Sequence, residues 1–107
     1  MQKTVLNEVF DLLQEHKLVS SESEFSRDWL GRSESYLRGL RFHNEMPSIS
    51  SIAVCASKLR YYGQRLAQTG HHAALAERFN ALSDACHSHI NERSTEIWLL
   101  GAPKGSA

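Results

Sequence analysis

The sequence predicts an all-α protein of five helices, the last two folded as a long antiparallel hairpin. Three observations predict it. Apolar residues recur at spacings of three and four in five separate stretches, the spacing that collects them on one face of a helix. Gly31, Pro47 and Gly70 punctuate those stretches where a helix has to stop or restart. Folding the last two stretches about Gly70 also sets Leu66 against Leu75, Tyr62 against Phe79, Leu59 against Leu82 and Cys55 against Cys86. Each of those pairs is apolar or soft, so the sequence itself predicts the hairpin register.

The chain has 107 residues, 41% hydrophobic and 22% charged, which is room for one domain over about residues 1–100. The first helix lies within residues 4–18: Val5, Leu6, Val9, Leu12 and Leu13 share one face, and Glu8, Asp11 and Glu15 face away. Ser21 and Glu24 form a capping box that opens the second helix, whose apolar face is Phe25, Trp29 and Leu30. Gly31 ends it, because glycine takes the left-handed conformation without a Cβ clash. Ser33 then predicts a restart, with Tyr36, Leu37 and Leu40 as the buried stripe of a third helix at about 34–43. Ser48 after Pro47 opens the fourth, which runs to about Thr69 with Gly63 as a weak point. The fifth extends from about His71 to Leu100, and residues 101–107 read as a disordered tail.

A short helix, a glycine turn and a second short helix with an outward face of arginines and serines make up the pattern of a helix-turn-helix. In detail, LGRSESYLRGL, Leu30 to Leu40, resembles the turn and recognition helix of the Cro and lambda-repressor-like helix-turn-helix proteins. MPSISSIAVCASKL, Met46 to Leu59, is similar to the next element of that family. The resemblance spans about residues 5–60, and the hairpin over about 49–100 is an extension beyond it. Two positions depart from the family pattern. Arg27 stands four before the turn glycine, where the family has a small residue, and Ser26 fills that role only if the first helix of the motif gains a residue. Arg32 follows the glycine where the family favours an apolar side chain.

The resemblance implies a sequence-specific transcriptional regulator, and the expectation is a repressor that reads a major groove of double-stranded DNA with the third helix. Outward residues fit that expectation. Arg38 and Arg41 lie three apart on one face, where an arginine can bind guanine O6 and N7 in a bidentate manner. Ser33 and Ser35 near the helix start can meet phosphate or bases, and Glu34 can accept from cytosine N4. Arg32 completes the set, with Arg27, His43 and Asn44 expected on phosphates. Net charge over the chain is zero, yet residues 27–65 hold seven basic against three acidic side chains, a local positive surplus.

The end of the last helix carries more apolar surface than one neighbouring helix covers. Ile97, Trp98 and Leu100 are therefore expected to form a homodimer seam, matching the paired half-sites such motifs read. Trp98 folding back on the first helix is the alternative. A different class of function, a helical adaptor or inhibitor that binds a protein partner through the hairpin without DNA, is the rival reading. No cofactor and no catalysis are expected: phosphate-cradling glycine loops, Cys-x-x-Cys pairs and cleft carboxylate pairs are all missing from the sequence. Cys86 and His89 sit three apart with Cys55 opposite, but a closed metal site takes four ligands, so the cysteines are expected to pack as small reduced hydrophobes. No apolar run approaches the ~20 residues that span a bilayer, and the N-terminus lacks a basic-then-apolar signal layout. The expectation is a cytoplasmic protein.

Overall fold

The computed structural model describes residues 4–101, an elongated body of 51 × 26 × 22 Å. It is all-α, with five helices: α1 (Val5–Glu15), α2 (Glu22–Trp29), α3 (Tyr36–His43), α4 (Ile49–Thr69) and α5 (Ala73–Glu96). The predicted fifth helix is shorter than expected at both ends, and its last turn widens into a π-helical stretch, Ile97–Gly101. The predicted tail, apart from Gly101, lies outside the described residues.

Local chemistry sets the boundaries. Thr4 caps α1 by accepting the Asn7 N–H on its hydroxyl, while the Asn7 side chain accepts the Thr4 N–H at 2.9 Å. The helix ends with Lys17 at φ 60°, left-handed, and the Leu18 N–H turns back to the Leu13 carbonyl at 2.7 Å. At the start of α2 the box expected of Ser21 and Glu24 is shifted by one residue. Ser21 accepts the Glu24 N–H, but the Glu24 carboxylate reaches past it to the N–H and hydroxyl of Ser20, both at 2.8 Å. The Ser20 backbone and side-chain hydrogen bonds hold the Glu24 carboxyl below its usual range. A group shifted that way stabilises the fold above the ordinary carboxylate range, and loses that contribution as pH falls through its lowered pKa.

The hairpin register matches the expected one. Cys55 and Cys86 are both buried on the facing helices, and the Ser83 hydroxyl donates to the Ala56 carbonyl at 2.9 Å. Hydrogen bonding to Cys86 and burial push the Cys55 thiol well up, so it stays protonated. Gly63, read as a weak point, is instead a contact point. It is buried, and a Cβ there would meet Asn80 Oδ1 at 2.5 Å and Phe79 Cβ at 3.3 Å. Gly70 turns the chain in the left-handed conformation at φ 74°.

Two rows of side chains join the N-terminal helices to this hairpin. Phe10 and Phe25 stack obliquely at 5.5 Å, and Trp29 meets Tyr62 at 5.7 Å and the edge of Phe79 at 6.4 Å. Phe10 is in the core with Leu6, Val9 and Leu13. On the far side of the body, Arg93 of α5 donates to the carbonyl of buried Pro47 at 3.4 Å, closing the end of the hairpin over the α3–α4 link.

Candidate nucleic-acid interface

The segment singled out by sequence has two short helices, but the link between them is longer than the glycine and its neighbours. It runs from Leu30, the last residue to keep right-handed geometry, to Ser35. Consequently α3 begins at Tyr36 rather than near residue 34, and Ser33 and Glu34 lie in the link. Gly31 has φ 66°, as its stop role requires.

Ser26 holds the two helices together. It is fully buried, its carbonyl accepts the Arg32 N–H at 3.0 Å, and its hydroxyl accepts the Leu37 N–H at 3.1 Å. Leu37 is in the first turn of α3, where N–H groups have no helical partner. The residue at the N-cap, Ser35, makes no such side-chain bond. A serine on the preceding helix therefore caps α3. Replacing Ser26 by alanine leaves the Leu37 N–H buried without a partner. The expected cost is about 1–3 kcal/mol, read as a lower denaturant midpoint with an unchanged m-value.

Tyr36 supplies the second anchor. Its hydroxyl accepts the Ser48 N–H at 2.9 Å and lies 3.1 Å from the Ser51 hydroxyl, tying the start of α3 to the start of α4. Burial pushes the phenol up, but the Ser48 and Ser51 bonds outweigh it and the net shift is downward. With Leu37 buried and Leu40 packed against the core, these contacts fix one side of α3.

The other side is open. Ser35, Arg38, Arg41, Phe42, His43 and Asn44 are all exposed, as are Arg32, Ser33 and Glu34 in the link and Arg27 on α2. Neither Arg38 nor Arg41 is covered by the hairpin. Their electrostatic states differ, however. Arg41 is held in a bidentate pair by Glu22, at 2.6 and 2.9 Å, which raises its pKa. Arg27 bonds Asp28 and Glu34, each at 3.0 Å, and is raised likewise. Arg32 lies over the Tyr36 ring at 4.7 Å. Among the described residues Arg38 has no ion-pair partner. The local positive surplus counted in the sequence is thus partly neutralised by Glu22, which lies outside the counted segment.

Asn44 has a structural reason to be where it is. It takes the left-handed conformation at φ 53° and closes α3, with the Glu45 N–H returning to the Leu40 carbonyl at 2.8 Å. His43 packs its ring edge on Phe42 at 5.1 Å. Phe42 itself, 83% exposed, belongs to no predicted set of site residues. Its signal was available: it falls off the Tyr36, Leu37 and Leu40 stripe, and therefore on the side carrying Arg38.

Elsewhere, Trp98 is 61% exposed. Ile97, Leu99 and Leu100 are exposed with it. Cys55, Cys86 and His89 do not form a metal-holding group among the described residues, and His89 Nε2 is buried without a hydrogen-bond partner. No helix among the described residues is long and apolar enough to cross a membrane.

The architecture defines an all-α protein that displays a short, externally capped helix beside a long helical hairpin. The chain belongs to a family of unknown function, DUF6626, whose model matches residues 6–99 and so takes in both parts. No curated protein and no solved structure matches it.

Proposed function

We propose that this protein is a DNA-binding transcriptional regulator, a repressor that occupies a promoter by placing α3 in the major groove. The observation that carries the reading is the two-sidedness of α3. One side is fixed by Ser26, Tyr36 and Leu37, and the other presents Ser35, Arg38 and Phe42 to solvent. A major groove admits one helix, and needs that helix held rigidly from behind.

On this reading Arg38 is the principal base reader, because its guanidinium has no competing carboxylate among the described residues and can donate two bonds to guanine. Phe42, one turn further along, offers an apolar contact for a thymine methyl. Ser35 lies at the helix start, near phosphate-favouring N–H groups. Arg41 and Arg27 reach phosphates only by leaving Glu22 and Glu34. Exposed pairs are worth little, so a phosphate can displace either carboxylate. Arg32, Ser33, His43 and Asn44 line the approach. A homodimer joined through Ile97, Trp98 and Leu100 would present two copies of α3 to paired half-sites.

A gel-shift with the duplex upstream of the protein's own gene, against random duplex competitor, tests the reading. Specific retention is expected, falling steeply between about 50 and 200 mM salt as counterions are released. Equal affinity for random duplex, or no retention at low salt, would overturn it.

A further inference from the structure

A groove runs along one side of α4, with Arg27 of α2, assigned above to a phosphate contact, on its opposite wall. Its deepest part, about 580 Å³, is walled by Trp29, Tyr62, Leu66, Leu75 and Phe79. One shallower depression shares Lys58 and Tyr62 with it and reaches Val54 and Tyr61. Another shares Tyr62 and Leu66 and reaches Arg65 and Thr69. Joined end to end, they follow α4 from Ala53 to Thr69, about 24 Å at 1.5 Å per residue. That is the length of a four- to five-turn helix, and helices dock by laying apolar anchors into such grooves.

Charge narrows the occupant. The whole of α4 carries Lys58, Arg60 and Arg65 and not one acidic residue. Arg60 faces Asp84 of α5 at 3.7 Å, on the flank away from the groove. Among the described residues Lys58 and Arg65 have no carboxylate partner. The Lys58 ammonium sits over the Trp29 ring at 5.0 Å and donates to the Asp28 carbonyl, while Arg65 stacks on Tyr61 at 5.6 Å. On the opposite wall, Asp28 is paired with Arg27, and Glu24, hydrogen-bonded by Ser20, keeps its negative charge across the groove from the α4 cations, so an incoming acid is drawn to the α4 side of the groove. The cations along α4 are left for an incoming acid.

The geometry points to a docking site for an acidic amphipathic helix of a partner protein. Its large apolar side chains enter the hollow between Trp29, Tyr62 and Phe79, and its carboxylates meet Lys58 and Arg65. Those two cations are seven residues apart on one helix, about 10.5 Å, which matches acids at positions i and i+7 of the visitor. A second copy of this chain is a poor occupant. Its α4 would bring like charges, and its acidic helix, α1, has already buried its apolar face under Phe25 and the hairpin. Nucleic acid would satisfy the cations but not the hollow walled by Leu66 and Leu75.

The test is a selection of random 16-residue peptides displayed on phage, against the immobilised full chain and against Lys58→Glu/Arg65→Glu in parallel. Wild-type protein should enrich acidic amphipathic sequences, and the double variant basic ones. As synthetic peptides, the wild-type binders should lose at least tenfold in affinity for the double variant. They should lose at least fivefold for Tyr62→Ala, measured at a temperature where circular dichroism shows the variant still folded, since the ring also stacks on Trp29. Arg65→Glu alone serves if the double variant does not fold, since among the described residues the Arg65 guanidinium has no ion pair and bonds only the Tyr61 hydroxyl. The same peptides from both targets, no enrichment, displacement of the peptide by random duplex, or self-association through this face would each overturn the proposal. Duplex binding through α3 is measured separately on the same variants, so the two ideas fail independently.

Discussion

Replacing Phe25 by alanine is expected to destabilise the protein by about 3–5 kcal/mol, the largest loss from any single truncation discussed. The ring is fully buried on α2 and packs obliquely on Phe10 of α1 at 5.5 Å. Removing it empties the joint between the first helix and the motif helices. The aromatic contact beyond simple burial disappears as well. A domain of this size has about 5–15 kcal/mol in total, so the variant should melt far below the parent. Paired thermal and urea unfolding measures it. A loss under about 1 kcal/mol would mean that α1 does not brace α2 as described.

The second large effect concerns recognition. Arg38→Ala should cost about 1–3 kcal/mol on the target duplex, a roughly 5- to 150-fold weakening, while changing affinity for random duplex much less. Arg38 is singled out because no carboxylate among the described residues holds it, whereas Arg41 must first be released from Glu22 and Arg27 from Glu34. Arg27→Ala should therefore weaken every duplex alike and reduce the salt slope. Gel-shift titrations of both variants on target and random duplex separate these roles. Equal losses on the two duplexes for Arg38→Ala would refute base reading by this side chain.

Much of the helical layout is written in short-range spacing. The hairpin register follows from apolar intervals mirrored about Gly70, and the glycine indeed turns the chain left-handed. Helix caps at Thr4, Ser21 and Ser48 are local, so one window of sequence contains both donor and acceptor. The start of α3 is less legible because Ser33 and Ser35 are equally good local caps, while the hydroxyl that does the capping is on Ser26, eleven residues from Leu37. Charge counting overstated the basic face for a related reason. The Glu22–Arg41 pair spans nineteen residues, and only the packing of α2 on α3 creates it. Gly63 misled in the opposite direction. Propensity marks it as a helix weakness, whereas its missing Cβ is what lets α5 approach.

Eight residues make a helix of about two turns, well short of the ~12–15 at which an isolated peptide becomes even marginally helical in water. The shape of α3 is thus borrowed from its neighbours through one serine hydroxyl, one phenol and one leucine. Loosening any of these would let the segment fray while the hairpin stays intact, so its amide protons should exchange sooner than those of α4 and α5. Whatever ligand grips the open side of α3 would slow that exchange, and part of its binding energy would go into ordering the surface it reads.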